Sequence, residues 1–138
     1  MRIESSDVIR VTPEHLFSII SDMSVFTRWN NSAERVSVSS PGPINVGSQM
    51  VISGKMGDMP FEVVELDPPR RLTVAADTSR MAVRHTYLLE PADGDTRLNQ
   101  VLVFEPRGIF KLMTPLMAPM IRRGHRQTTD GLRVYAET

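Results

Sequence analysis

The chain has 138 residues, no cysteine, and sixteen basic residues that balance sixteen acidic ones. This length fits one domain, residues 1–138, with a single hydrophobic core. Zero formal net charge gives no attraction to a nucleic-acid backbone, and the lack of cysteine excludes disulfides and thiolate metal sites, so neither nucleic-acid binding nor such a metal site is expected. No apolar run approaches the ~20 residues of a membrane-spanning helix, and the first residues lack a signal-peptide core, so the expected location is the cytoplasm.

The chain opens with a strand that is followed by two short helices. Residues 3–11 are rich in β-branched side chains, which favours a strand. Thr12, Pro13 and Glu14 supply a helix N-cap, a proline at the first helical position and an acidic first turn, so a helix is expected to begin there. A second short helix is expected after it, with Trp29 on its buried side.

Between the short helices and the C-terminal region, turn signals separate a series of strand-like runs. Clusters of proline, glycine and aspartate, such as Asp93-Gly94-Asp95, interrupt segments rich in β-branched residues. The pattern predicts an antiparallel meander, and the first strand brings the predicted total to seven strands. The predicted strands of the meander are residues 36–39, 48–56, 60–66, 71–76, 80–90 and 96–105.

Alternation within the last two strands predicts which side chains face the interior. Successive residues of a strand point to opposite faces, so the apolar set of each strand marks its buried face. Asp7 and Glu62 fall in phase with apolar neighbours, and the pattern leaves their facing open. The predicted interior residues of these two strands are Met81, Val83, His85, Tyr87 and Leu89, then Leu98, Gln100, Leu102 and Phe104.

The C-terminal region carries the sustained periodicity of a long helix. A helix of about residues 109–135 is expected, on the order of 40 Å long at ~1.5 Å per residue. Pro115 and Pro119 lack an amide donor and crowd the preceding turn, so they are expected to bend or split this helix. The predicted core-facing stripe is Met113, Leu116, Met117, Met120, Gly124, Gln127, Gly131, Val134 and Tyr135.

Four segments carry a likeness to a known fold: residues 9–17, 21–22, Trp29 and 63–72. Together with the order of the elements, they resemble the helix-grip fold of the START-like (SRPBCC) superfamily. That superfamily includes birch-pollen-allergen-like proteins, lipid-transfer START domains and the polyketide cyclase/dehydrase family. The resemblance covers the whole chain and implies an α+β helix-grip fold. In this fold a seven-stranded curved antiparallel sheet, with two short helices after strand 1, wraps a long C-terminal helix and encloses an internal apolar cavity.

The predicted interior contains several methionines and a few polar side chains among aliphatic neighbours. Methionine is flexible and polarizable, so a cavity lined by it adapts to apolar ligands of irregular shape. The same pattern is typical of ordinary core packing, and the family resemblance is what favours a ligand site. The methionines concerned are Met50, Met56, Met81, Met113, Met117 and Met120. The predicted ligand-binding residues are Trp29, Met50, Ile52, Met81, Val83, His85, Tyr87, Gln100, Leu102, Phe104, Met113, Met117, Met120 and Gly124.

His85 and Tyr87 lie two residues apart on one predicted strand, and Gln100 can approach them from the neighbouring strand. Such a histidine is a candidate general acid or base, and such a tyrosine hydroxyl could hydrogen-bond a substrate carbonyl, as a cyclase or dehydrase would require. The sequence also fits a buried histidine satisfied by its polar neighbours, or a group that orients a ligand. No carboxylate is placed beside His85 to orient it, which weakens the enzymatic alternative.

Signals for metal and cofactor binding are missing from the sequence. His15, His85 and His125 are scattered along the chain, and no metal-binding motif is present. No glycine-rich loop suited to a phosphate group is present either. Neither a metal nor a cofactor is therefore expected.

The apolar run of residues 112–121 is flanked by basic residues on both sides. Such a run could contact a membrane surface. Burial against the sheet is favoured instead, because Pro115 and Pro119 interrupt the run and the total charge is neutral. The flanking residues are Arg107 and Lys111 before the run and Arg122, Arg123 and Arg126 after it.

The leading hypothesis is a non-enzymatic binder or carrier of a small hydrophobic molecule, such as a lipid, a polyketide-like compound or an isoprenoid. The first alternative is a polyketide cyclase/dehydrase-type enzyme that uses His85 and Tyr87. The second alternative is a protein-interaction module, which requires an exposed apolar patch in place of a closed cavity. A monomer or a weak homodimer is expected.

Overall fold

The computed structural model describes residues 1–55 and 57–138, and within them seven strands and three α-helices follow the predicted order. The strands are β1 (Arg2–Ile9), β2 (Ala33–Val38), β3 (Gln49–Gly54), β4 (Gly57–Asp67), β5 (Arg71–Asp77), β6 (Met81–Ala92) and β7 (Asp95–Pro106). The helices are α1 (Pro13–Ile20), α2 (Phe26–Trp29) and α3 (Ile109–Glu137), with a single 3-10 turn at Met23–Val25 before α2. Met56, a predicted strand end and cavity methionine, lies outside the described residues.

The described strands pair in one curved antiparallel sheet in the order β1-β7-β6-β5-β4-β3-β2. β2 to β7 form the predicted meander, and β1 pairs with β7 at the edge of the sheet. The hairpin between β6 and β7 closes through Asp93 and Gly94, whose φ angles of 53° and 86° are the left-handed values that tight hairpin turns require. Its register places Tyr87 opposite Gln100.

The predicted start of α1 is confirmed, and both short helices add to the core. The Thr12 side chain accepts a hydrogen bond from the backbone N–H of His15 at 3.2 Å, and Pro13 occupies the first turn. In α2, Trp29 is buried, and its ring meets Phe26 edge-on with centroids 4.9 Å apart. The apolar sides of the two helices therefore contribute to the main core.

The main core lies between the sheet, the short helices and the C-terminal part of α3. The hydrophobic effect of removing these side chains from water contributes most to the stability of the fold. Its most deeply buried members are Ile9, Leu16, Ile20, Trp29, Met50, Val63, Leu72, Leu98 and Leu132. The helices α2 and α3 approach closely, since a β-carbon at Gly131 would lie 2.5 Å from the backbone oxygen of Trp29. The missing side chain of Gly131 is therefore what permits this contact.

The long helix is continuous, and its buried side differs from the predicted one. It runs from Ile109 to Glu137 through both prolines, so the expected splitting does not occur. Leu116 and Val134, two members of the predicted stripe, are exposed. The fully buried residues of α3 are Thr129, Leu132 and Ala136. The centre of these three residues lies about 140° around the helix from the centre of the predicted stripe, which is more than a third of a turn.

Contacts in the second half of α3 set the rotation of the helix. Thr129 accepts a hydrogen bond from Gln100 of β7, and Gly131 lies against the backbone of α2. The first half has apolar side chains on more than one side, so its pattern could not indicate which side the protein covers. The rotation was therefore decided by non-local contacts.

The structure resolves the facing of two acidic residues that the sequence pattern left open. Asp7 of β1 faces α3, where its carboxylate pairs with Arg126 at 2.8 Å and with Arg133 at 3.3 Å. Only 9% of the Asp7 side chain is exposed, and both arginines contact Oδ1, whereas Oδ2 is buried without a hydrogen-bond partner within the described residues. Glu62, opposite Ala75 on the neighbouring strand, is exposed.

Candidate functional site

A polar cluster crosses the inner face of the sheet. His85 and Tyr87 lie on β6, and Gln100 lies opposite Tyr87 on β7. Gln100 reaches Thr129 of α3, which confirms the predicted inward face of these strands. β1 adds Ser5, which is paired with Gln100 on its other side. Three neighbouring strands therefore present polar groups to the same helix.

A chain of hydrogen bonds joins His85 to α3. Nε2 of His85 lies 3.0 Å from Oε1 of Gln100, and Nε2 of Gln100 donates to Oγ1 of Thr129 at 2.9 Å. The Thr129 hydroxyl donates to the backbone carbonyl of His125 at 3.0 Å. Because an amide oxygen only accepts, Nε2 of His85 carries the hydrogen, and Nδ1 of the neutral ring keeps its lone pair. Both ends of the Gln100 amide are used by protein partners.

The His85 ring stacks on Tyr87, with the ring centroids 4.2 Å apart and the planes 23° from parallel. Burial raises the pKa of the Tyr87 hydroxyl, so this phenol is protonated at neutral pH and can donate. His85 and Gln100 form their hydrogen bonds with each other and with Thr129. The Tyr87 hydroxyl forms no hydrogen bond within the described residues. It is the donor of the cluster that remains available.

Burial makes His85 a neutral and weakly basic group. It lowers the pKa of His85 from 6.5 to about 4, while the hydrogen bond with Gln100 opposes the shift and the nearby His125 adds to it. The ring is therefore neutral at pH 7, with a low proton affinity at Nδ1. A general base works best when its pKa is close to the working pH, so His85 is poorly tuned for proton transfer.

His125 and Ser5 also belong to this cluster, although the sequence assigned neither of them to it. Nε2 of His125 lies 2.9 Å from Oγ of Ser5, and the His125 ring centroid lies 5.9 Å from that of His85. Burial, and then the charge of Arg126, lowers the pKa of His125, while Asp7 opposes this shift. His85 and His125 are far apart in the sequence and come together only in the fold. Their proximity depends on the rotation of α3 about its axis, which local sequence patterns do not determine.

The third histidine, His15, is exposed on α1 and stays apart from this pair. Across residues 1–55 and 57–138, no group of three or more histidine, cysteine or carboxylate side chains is placed to hold a metal ion.

The residues predicted to bind a ligand fall into three classes of exposure. Half-buried are Ile52, Val83, His85, Leu102, Met117 and Gly124. Fully buried are Trp29, Met50, Met81, Tyr87, Gln100 and Phe104. Exposed are Met113 and Met120. Trp29 and Met50 belong to the main core, so the structure does not bring all of these residues to one place.

His85 belongs to the half-buried class, so part of its surface is accessible to solvent although burial is the main cause of its lowered pKa. On α3, Phe110, Met117 and Ile121 lie on one side of the helix and are also half-buried.

An open concavity lies on the outside of the protein. It is an open groove of about 950 Å³ between α1, α2 and the second half of α3. Its lining includes His15, Arg28, Asp130 and Tyr135. The groove shares no lining residue with the predicted ligand-binding set, so it is distinct from the polar cluster.

Comparison with known proteins identifies the family of this chain. Residues 1–137 match the family described as polyketide cyclase/dehydrase and lipid transport. An uncharacterized protein of Mycobacterium tuberculosis is 24% identical over 136 residues, which cover 94% of this chain and 80% of that protein.

Solved structures with the same fold share little sequence with this chain. A START superfamily protein from Mycobacterium smegmatis superposes with a TM-score of 0.80 at 15% identity, covering 99% of this chain and 97% of that one. Truncated norcoclaurine synthase from Thalictrum flavum superposes with a TM-score of 0.69 at 11% identity, covering 96% of this chain and 91% of that one. The family match over nearly the whole chain, on a START-like helix-grip fold, shows that this protein belongs to the polyketide cyclase/dehydrase and lipid transport family.

Proposed function

We propose that this protein binds a small hydrophobic molecule, such as a lipid, a polyketide-like compound or an isoprenoid, between the inner face of the sheet and α3. The observation that carries the proposal is the half-buried apolar surface beside His85, where Val83 shares its strand and Leu102 lies opposite it; Met117 of α3 is half-buried as well. An apolar ligand that covers this surface gains about 0.8 kcal/mol for each methylene group removed from water. Membership of a family that includes lipid transport supports the same function.

Tyr87 and His85 supply one polar end for such a ligand. The Tyr87 hydroxyl is a donor without a partner in the described part of the chain, and Nδ1 of His85 is an acceptor. A ligand hydroxyl could accept from Tyr87 and donate to Nδ1 of His85, and a ligand carbonyl could accept from Tyr87 alone, whereas a purely apolar ligand would leave the phenol unsatisfied. Gln100 differs, because its amide is already bonded at both ends. Its role in the proposal is to hold the His85 ring.

The enzyme alternative, a polyketide cyclase/dehydrase-type reaction at His85 and Tyr87, has weaker support. The His85 pKa of about 4 and the raised Tyr87 pKa leave neither group suited to exchange a proton near pH 7. No carboxylate hydrogen-bonds the His85 ring within the described residues. Norcoclaurine synthase shows by its name that this fold also hosts an enzyme, so the fold does not decide the question. Binding is the better-supported function.

Native mass spectrometry of the gently purified protein, followed by extraction and identification of released compounds, tests the proposal without a guess about the ligand. Met117→Arg places a charge on the half-buried side of α3, and we expect it to abolish binding because a charge is costly to desolvate. Val46→Arg introduces the same charge at an exposed residue outside α3, and we expect the bound compound to be retained.

Loss of the adduct in the Met117 variant alone supports an internal site. Equal loss in both variants would place binding elsewhere. A bare protein that also gains no thermal stability from a panel of lipids and polyketides would contradict the proposal.

A further inference from the structure

A continuous apolar stripe runs along the first half of α3 on a side that the protein leaves uncovered. Its members lie mostly three or four residues apart, with Leu112 and Met113 adjacent, which places them on one face of the helix. They are Ile109, Leu112, Met113, Leu116 and Met120, with 68%, 81%, 41%, 79% and 71% of their surface exposed. We refer to these five residues as the outer stripe. A contiguous set of large exposed apolar side chains marks an interaction surface.

Positive charge accompanies the outer stripe. Residues 107–129 include five basic residues and no acidic one, although the net charge of the chain is zero. Lys111 lies at the start of the outer stripe, and Arg122 and Arg123 follow directly after it. None of these three forms an ion pair within the described residues, unlike the other two basic residues of this segment. Their charge is therefore available to an external partner.

We propose that the outer stripe docks the protein on the surface of a membrane that contains anionic phospholipids. In this arrangement the stripe enters the boundary between headgroups and acyl chains by ~5–10 Å, and the three cations meet lipid phosphates. Charge complementarity favours this partner over a second copy of the chain, because pairing two stripes would bring like charges together. The outer stripe contains no aromatic residue, whereas the centres of protein interfaces are rich in them.

The two reasons for which the sequence favoured burial of this segment do not hold in the structure. α3 continues through Pro115 and Pro119, and the apolar residues beside them are exposed. The neutral total charge conceals a separation of charge, because this segment holds basic residues without acidic ones. No helix within the described residues is long and apolar enough to cross a bilayer.

Docking through the outer stripe goes beyond the ligand binding proposed above and does not depend on it. It would bring the neighbouring, half-buried side of the same segment, with Phe110, Met117 and Ile121, close to the lipid. A hydrophobic ligand could then pass between the bilayer and the protein with little exposure to water.

Sedimentation of the full chain with vesicles tests this proposal. The vesicles contain phosphatidylcholine alone, or phosphatidylcholine with roughly one third phosphatidylglycerol as the anionic lipid. The stripe variant combines Leu112→Ser with Leu116→Ser. The matched control combines Val46→Ser with Val134→Ser, two residues that are 62% and 67% exposed outside the stripe. The charge variant combines Lys111→Gln with Arg123→Gln. Because all of these positions are exposed, thermal unfolding of each variant should match that of the unaltered protein.

We expect the unaltered protein and the control to bind anionic vesicles and to bind less at high salt. The stripe variant should bind about tenfold more weakly or worse, because two apolar anchors are lost. The affinity of the charge variant for anionic vesicles should fall about fivefold for each charge removed. Three results would overturn the proposal: no binding to anionic vesicles, equal binding by the stripe variant, or a dimer in solution that the stripe variant dissociates. The assay needs no bound ligand, so a failure of the ligand proposal would leave its result unaffected.

Discussion

The two halves of α3 belong to one continuous helix, yet they differ in how much of their surface the protein covers. In the second half Leu132 and Ala136 are buried, and Gly131 lies against the backbone of α2. In the first half no residue is fully buried, and Leu112 and Leu116 are largely exposed. The second half is therefore part of the core, whereas the first half is available for binding.

This difference teaches that an apolar pattern on a helix has more than one cause. Apolar side chains are required in a core, on a wall that contacts a hydrophobic ligand, and on a surface that contacts a membrane. Periodicity identifies a helix and its apolar sides, but it does not say what covers them. The contrast between the halves can be tested by measuring where stability resides.

The largest effect on stability is expected at Leu132. Leu132→Ala should lower the free energy of unfolding by about 2–5 kcal/mol, because the residue is 1% exposed and its loss leaves a cavity. Leu116→Ala, the same change in the exposed half, should alter it by less than about 0.5 kcal/mol. Equilibrium unfolding in denaturant measures both. Similar losses of stability for the two variants would show that the two halves of α3 are equally packed, which would contradict the difference described above.

A second effect concerns pH and His85, which Gln100 connects to the packed half of α3 through Thr129. Burial lowers the pKa of His85 to about 4, whereas in the unfolded chain it is 6.5. Between these values the unfolded chain binds a proton that the folded chain excludes, so stability falls as pH falls. Between pH 7 and pH 5, this proton uptake by the unfolded chain lowers the free energy of unfolding by about 2 kcal/mol.

His85→Gln keeps a donor for Gln100 but does not titrate. The free energy of unfolding of the unaltered protein should therefore drop by about 2 kcal/mol more than that of the variant between pH 7 and pH 5. Denaturant unfolding at the two pH values provides the comparison, and carboxylates and His125 are present in both proteins. Parallel pH profiles would mean that His85 is not held neutral by burial.

The smallest effect separates two glycines of the same helix. In Gly131→Ala the new β-carbon would meet the Trp29 oxygen at 2.5 Å, so the variant should lose about 1–2 kcal/mol after the gain in helix propensity. Gly124→Ala meets nothing within 4 Å and should gain up to about 1 kcal/mol. Opposite shifts in melting temperature are expected. If both substitutions stabilise the protein, the close contact between α2 and α3 is not rigid.

Local sequence patterns predicted much of the polar cluster. Alternation along a strand depends only on neighbouring residues, so the inward facing of His85, Tyr87 and Gln100 was predicted correctly. The approach of His125 to Ser5 was not predicted, because these residues are 120 positions apart and meet only through the rotation of α3. The ligand-binding role of the cluster remains a prediction.

The sequence by itself determined the order of the elements, the start of α1 at Thr12 and the tight turn at Asp93 and Gly94. Each of these depends on the conformational preferences of a few adjacent residues. The tertiary structure alone decided which side of α3 is buried, which partners neutralise Asp7, and that the apolar first half of α3 stays exposed. The physical reason is that burial depends on residues far apart in the chain, whereas strand alternation and helix capping do not.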